Sequence, residues 1–235
     1  KGAAYTAVKL LKAKKIAIIV SYNDFGTTLT QGFETYMKGH PESKIVSIQK
    51  YPMSEKDFKP YLTKMKASNP DLVFFSGYYF QVAPALKQAK DMGITVPFMG
   101  EQGTDSPKTA EIGGKAAEGL IIVTNLNRDD KRKFVQEFLS TYRKRHKIEP
   151  DMVGASGYDA FMLLANAIKQ AKTTDGTAVA KALAATKNYN GLTGIINGFN
   201  KEGEIVKPIQ IQQIKNGVFR YYGEIKDPAI ITPDK

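Results

Sequence analysis

Cysteine is absent from the 235-residue chain, which excludes thiol chemistry, disulfides and Cys-type zinc sites. Histidine occurs twice, at His40 and His146. Both stand beside expected helix ends among charged neighbours, so they read as surface residues rather than catalytic ones. Apolar runs such as Ile16–Val20 are far too short to span a bilayer. No G-x-S-x-G elbow, Walker loop, H-E-x-x-H or G-x-G-x-x-G pattern is present. No strand feeds Gly113-Gly114, so that pair makes no phosphate loop. Asp57 and Asp129-Asp130 lack partner carboxylates at a spacing useful for a metal or for glycoside hydrolysis. These gaps leave no catalytic constellation, and a non-enzymatic protein without a cofactor is expected. The chain opens on Lys1 rather than Met, so an upstream segment is expected to have been removed.

The formal charge of +11 fits a nucleic-acid partner, an acidic surface or solubility alone. Its densest cluster, Lys131 to Lys147, carries Phe134, Val135, Phe138, Leu139 and Tyr142 at helical spacing. That is an amphipathic helix with a basic, solvated outer face, and no nucleic-acid partner is expected.

Strand and helix patterns alternate through the first half. A helix over Ala3–Lys12 precedes the strand Ile16–Val20, and a helix carrying Leu29, Phe33, Tyr36 and Met37 on one face follows it. The second strand spans Lys44–Tyr51. Pro60 is tolerated only in a first helical turn, which places an N-cap at Asp57. The run Asp71-Leu72-Val73-Phe74-Phe75-Ser76 then reads as a buried parallel strand. A helix over 82–92 closes at Gly93, and short strands are expected over 96–99 and 119–123. This rhythm predicts a parallel, doubly wound α/β sheet. Beyond Thr124, helices over 131–146, 158–171 and 177–186 follow with no strand between them and belong to a second body. The chain ends in β structure, with Asn216-Gly217 as a primed hairpin turn.

In open α/β sheets, ligands bind beyond the carboxyl ends of the strands. The loops there carry Tyr22, Asn23, Phe25, Tyr78, Tyr79, Glu101, Gln102 and Thr104. Phe74 and Phe75 are core. Tyr78, past Gly77 at a strand end, is expected in a pocket for a small polar or zwitterionic molecule.

Several pieces at these loops recur together in one order. They are Tyr22-Asn23-Asp24-Phe25-Gly26, Asp57-Phe58, Asn69-Pro70-Asp71, Ser76-Gly77-Tyr78, Val96-Pro97-Phe98-Met99-Gly100, Ala117-Glu118-Gly119, Gly157-Tyr158-Asp159-Ala160 and Gly191-Leu192-Thr193-Gly194. Over nearly the whole chain this order resembles the periplasmic substrate-binding proteins of branched-chain amino-acid ABC transporters, the Leu/Ile/Val-binding type. The resemblance implies a periplasmic-binding-protein type 1 fold, with two α/β lobes joined by three hinge strands that close on a ligand. On it, residues 1–125 with 205–235 make the second lobe. Residues 126–204 are a helical segment of an incomplete first lobe, whose own sheet would lie upstream.

The resemblance also implies an extracytoplasmic protein, periplasmic or on the outer face of the cytoplasmic membrane. Its partners would be a small ligand (an amino acid or organic acid) and the membrane permease of an ABC importer. Phe25 takes the place of a pocket aromatic that is commonly Tyr, Tyr78 matches a pocket tyrosine, and Val153 occupies a pocket position in the returning segment. Gln102 falls where amino-acid binders place an acid that pairs with the ligand ammonium. A neutral amide cannot supply that charge-assisted bond, so either Glu101 substitutes or the ligand is an organic acid, an amide or an aromatic acid. A cytoplasmic ligand-sensing regulator on the same fold is the rival reading. The apolar faces of the later helices (Phe134, Phe138, Tyr158, Phe161, Met162 and Leu164) are expected to lack cover, which implies self-association, a rearranged helical segment, or the missing N-terminal portion present as a separate chain.

Overall fold

The computed structural model describes residues 1–233. The chain divides into two compact units, one of Lys1–Thr124 with Gln212–Tyr222, the other of Asn125–Ile211 with the chain from Gly223 onward.

The first unit is built on a seven-stranded sheet. A helical turn α1 (Gly2–Tyr5) runs into one turn of π-helix over Thr6–Leu10, where a continuous α-helix was expected. Strand β1 (Lys15–Ser21), helix α2 (Asp24–Met37), strand β2 (Lys44–Tyr51) and helix α3 (Lys59–Ala67) follow. Next come β3 (Leu72–Ser76), α4 (Tyr79–Asp91), β4 (Phe98–Gly100), α5 (Pro107–Gly113) and β5 (Ile121–Thr124).

β1 pairs in parallel with both β2 and β3, and β3–β4 and β4–β5 are also parallel. Every residue of β3 is buried, and its alternation serves both faces of the sheet. Phe74 stacks on Phe33 of α2 at 5.1 Å between ring centroids. Phe75, pointing the other way, joins Tyr51, Phe58, Leu62, Val82 and Leu86 in the main core. A sheet covered on both faces needs continuous apolar strands rather than alternating ones, which is how β1 and β3 read.

Two boundaries differ from the expected ones for local reasons. α4 begins at Tyr79, three residues early, because the Gln81 side chain, at the third helical position, reaches back to accept the Tyr78 amide proton at 3.3 Å. α3 begins at Lys59 with Phe58 as its N-cap, one residue beyond the expected cap, and Pro60 sits in its first turn.

The second unit contains α6 (Lys133–His146), α7 (Met152–Ala171) and α8 (Gly176–Ala184). α7 starts six residues earlier than expected because the Asp151 carboxylate accepts the Gly154 amide proton at 2.8 Å, capping the helix there. Val135 and Leu139 of α6 pack with Leu126, Ala155 and Leu192, and Phe134 and Phe138 lie against that cluster. The β structure expected over 193–199 is broken into β7 (Gly194–Ile196), which pairs with an earlier strand β6 (Tyr189–Gly191), and β8 (Gly198–Phe199), which pairs with β9 (Ile205–Val206).

β10 (Ile209–Lys215) and β11 (Val218–Ile225) close the sequence of strands, and a short α9 (Pro228–Ile231) follows. In the seven-stranded sheet the order is β11-β10-β5-β4-β3-β1-β2. Asn216 and Gly217 both have positive φ, at 53° and 73°, as a primed two-residue turn requires.

A buried polar cluster fixes the β6–β7 turn of the second unit. Asp159 accepts the amide protons of Leu192 and Thr193 at 2.6 and 2.8 Å. The Thr193 hydroxyl donates to Asp159 at 2.7 Å and accepts from the Lys207 ammonium at 2.5 Å. Burial lowers the Lys207 pKa to about 8, while the Asp159 charge opposes the shift.

Candidate functional site

The candidate site lies within the first unit, at the carboxyl ends of β1 to β4. Past Ser21 the chain turns through Tyr22 and Asn23 into α2. The Asn23 Oδ1 accepts the Gly26 amide proton at 2.8 Å, and its Nδ2 donates to the Met53 sulfur at 3.2 Å. A Cβ on Gly26 would fall 2.1 Å from the Ser21 carbonyl oxygen. Only glycine lets the first turn of α2 come this close to the end of β1.

Gly77 does the same at the end of β3, where a Cβ would lie 1.9 Å from the Tyr51 hydroxyl. These two close approaches bring the half-buried rings of Phe25 and Tyr78 together, with centroids 5.6 Å apart and planes inclined by 29°. Phe80 extends the stack beyond Tyr78 at 5.7 Å and 7°, with nearly half of its surface exposed.

Gln81 ties these loops together from beneath. Its Nε2 donates to the Met53 carbonyl at 2.8 Å, and its Oε1 lies 3.3 Å from both the Tyr78 amide nitrogen and the Tyr51 hydroxyl. Burial pushes the Tyr51 pKa upward, so its hydroxyl stays protonated and remains a donor. Sequence reasoning missed Tyr51, Met53 and Gln81. A glutamine three residues after an N-cap is a recognised capping signal, so Gln81 was findable once α4 was started at Tyr79.

Glu101 and Gln102 differ sharply in environment. Glu101 is 3% exposed. Its two carboxylate oxygens accept the amide protons of Gly77 at 3.2 Å and Gly103 at 2.7 Å. Burial raises its pKa to about 7, and those two amide bonds limit the rise. Glu101 therefore bridges the loops after β3 and β4. Gln102, its neighbour, is exposed in a single 3-10 turn over Gln102–Thr104. Thr104 is buried, with its hydroxyl 3.4 Å from the Gly77 carbonyl oxygen. The Thr124 hydroxyl donates to Asp105 below this turn.

The structure thus joins Phe25, Tyr78 and Glu101 through the Gly77 turn and places Gln102 on the surface beside them in sequence. Val153 lies on α7 of the second unit and is 68% exposed. Tyr22 is also mostly exposed, and Tyr79 is half-buried. Among the described residues no group of three or more His, Asp or Glu side chains is placed to hold a metal ion. No helix among them is long and apolar enough to cross a membrane. An aromatic wall with amides, carbonyls and one buried carboxyl can hold a small molecule by stacking and hydrogen bonding.

A parallel sheet with aromatic loops at its strand ends has the form of a ligand-binding α/β protein. The comparisons with known proteins extend this, because the chain belongs to the periplasmic binding protein family, which it matches over residues 1–218. It is similar to the leucine-, isoleucine-, valine-, threonine- and alanine-binding protein of Pseudomonas aeruginosa, with 26% identity over 199 residues. That match covers 83% of this chain and 51% of the relative, so the chain spans about half that protein's length.

Among solved structures, a leucine-binding protein from Thermotoga maritima superposes with a TM-score of 0.85 at 28% identity. The match covers 97% of this chain and 65% of that one. The isoleucine complex of a branched-chain amino-acid transporter substrate-binding protein from Streptococcus pneumoniae gives a TM-score of 0.81 at 25% identity. It covers 96% of this chain and 64% of that one. The expected periplasmic-binding-protein type 1 fold is thereby confirmed.

Proposed function

We propose that this chain is part of an extracytoplasmic solute-binding protein, periplasmic or held at the outer face of the cytoplasmic membrane. It captures a small organic molecule without chemical change and delivers it to the permease of an ABC importer. The first unit supplies a ligand-binding lobe, and the helical second unit belongs to the other lobe. The observation that carries this reading is the Phe25–Tyr78 stack at the carboxyl ends of the parallel strands. An aromatic face is built there by two glycines and left half open, where a core would have closed it.

Both similar structures described above bear names of proteins that take leucine or branched-chain amino acids. In this chain the loop after β4 presents neutral Gln102 at its surface, while Glu101 gives both oxygens to backbone amides. No free carboxylate from this pair stands ready for an α-ammonium group. The ligand we assign is therefore a small organic acid or amide in preference to leucine, isoleucine or valine. Within the first unit, Phe25 and Tyr78 stack on it, Gln102 hydrogen-bonds it, and Glu101 sets the loop geometry.

A thermal-shift screen of amino acids against small organic acids and amides tests this assignment. Stabilisation by an acid or amide is expected. Strong stabilisation by leucine that survives Glu101→Gln would overturn the ligand class.

A further inference from the structure

The carboxyl end of α6 has no buried side. An amphipathic helix buries one face in every turn, and α6 does so earlier, through Val135 and Leu139. From residue 143 to residue 149, however, every position is exposed. The last turn of the helix and the residues just past it therefore stand clear of the protein on all sides. Four cations are gathered there against one carboxylate, and Arg143 takes that carboxylate, pairing with Glu149 at 2.6 Å. The side chains of Lys144, Arg145 and Lys147 have no hydrogen-bond or ion-pair partner among the described residues. The helix macrodipole places only about half an elementary charge at this end, too little to balance them. Beside them Ile148, just past the left-handed residue Lys147 that ends the helix, is 60% exposed.

We propose that this tip docks on an anionic phospholipid surface, with Lys144, Arg145 and Lys147 on the headgroups and Ile148 in the boundary between headgroups and acyl chains. The three cations fall within about one helical turn, roughly 5 Å along the axis, so a surface that meets one of them meets the others. Cations alone would serve nucleic acid as well, through its phosphates. The exposed aliphatic side chain among them favours a bilayer, which offers both anionic headgroups and an apolar layer beneath them. On the extracytoplasmic reading proposed above, such a contact would hold the protein beside its permease, but the contact itself does not depend on that reading.

The test is sedimentation of the intact chain with vesicles of phosphatidylglycerol and phosphatidylcholine, against vesicles of phosphatidylcholine alone. Binding to the anionic vesicles only, weakened by added salt, is expected. Lys144→Gln/Arg145→Gln/Lys147→Gln should weaken it about a hundredfold, at about fivefold for each cation near such a surface. Ile148→Ser should weaken it about fivefold through lost apolar burial. Lys64→Gln/Lys87→Gln/Lys90→Gln removes the same charge from exposed positions of the first unit and should have little effect. Phe161→Ser/Leu164→Ser, at exposed apolar positions of α7, should leave binding unchanged. Failure to bind anionic vesicles would overturn the proposal, as would binding that ignores salt. Equal losses in the two triple variants, unchanged binding in Ile148→Ser or lost binding in Phe161→Ser/Leu164→Ser would overturn it too. Duplex DNA that binds the tip more tightly than the vesicles do would assign it to nucleic acid instead.

Discussion

Phe25 and Tyr78 stack at 5.6 Å although one follows β1 and the other follows β3. Their contact depends on two backbone approaches that any side chain would block, at Gly26 and at Gly77. The site is thus assembled by glycines, and the aromatic residues are what those approaches present.

Truncating an aromatic anchor in a binding pocket typically costs about 2 kcal/mol or more. Tyr78→Ala and Phe25→Ala should each weaken binding of the acid or amide that stabilises the parent chain at least tenfold in calorimetry. Because the two rings touch, the double variant should lose less than the sum of the single losses. Additive losses would mean that the rings act separately, and unchanged affinity in Tyr78→Ala would remove it from the site.

Gly26 and Gly157 make a matched contrast. A Cβ at Gly26 meets the Ser21 carbonyl at 2.1 Å, backbone that cannot step aside, whereas a Cβ at Gly157 meets nothing within 4 Å. Gly26→Ala should destabilise by roughly 1–3 kcal/mol, the usual cost of overpacking. Gly157→Ala, on the exposed side of α7, should stabilise by up to about 1 kcal/mol through helix propensity. Urea midpoints of the two variants decide the matter, and equal shifts would contradict it.

Much of this was legible in the sequence, and the exceptions have physical causes. The strands β1 and β3 were readable because a doubly covered sheet writes itself as continuous apolar runs. Tyr78 was readable because Gly77 ends such a run. The start of α7 was not, since Asp151 caps it ahead of Gly154 and Gly157, residues that weaken a helical pattern. The role of Glu101 was hidden for another reason. Its partners are backbone amides of Gly77 and Gly103, and amides leave no trace in residue type. Gln81 was obscured by Pro84, which sits inside α4 and argues against a helix that starts as early as Tyr79.

Glu101 gives the protein a pH signature. Burial holds its folded-state pKa near about 7, against an ordinary value of 4.5. Between those two values the folded protein keeps a proton that the unfolded chain releases, so stability falls as pH rises through that window. The stability associated with the neutral acid is fully present below pH 4.5 and gone above about 7. Glu101→Gln should flatten this part of the profile while lowering stability overall, because an amide offers one acceptor oxygen where the carboxyl offers two. Thermal midpoints from pH 4 to 8 measure both effects. A variant with the parent's slope would show that another group is responsible.

The helix α7 presents a large apolar surface. Val153 and Phe161 are 68% and 69% exposed, and Tyr158 and Leu164 are 40% and 44% exposed. Val153, Phe161 and Leu164, with Gly157 in the same row, follow the helical repeat and lie along one side of α7. Within the second unit Phe138 packs on the Tyr158 ring, at 5.0 Å between centroids, and with Phe134 on the Leu126, Val135 and Leu139 cluster, and both lie away from the row of Val153, Phe161 and Leu164. Soluble monomers seldom leave a contiguous apolar patch of this kind uncovered. The chain should therefore self-associate, with a light-scattering mass that exceeds 25.9 kDa and grows with concentration. Phe161→Glu combined with Leu164→Glu places like charges on that stripe and should return the mass to the monomer value. Both positions face solvent, so far-UV circular dichroism and the thermal midpoint should change little. A parent chain that stays monomeric at every concentration would show that the stripe drives no association, and a charged variant that still associates would locate the contact on another surface.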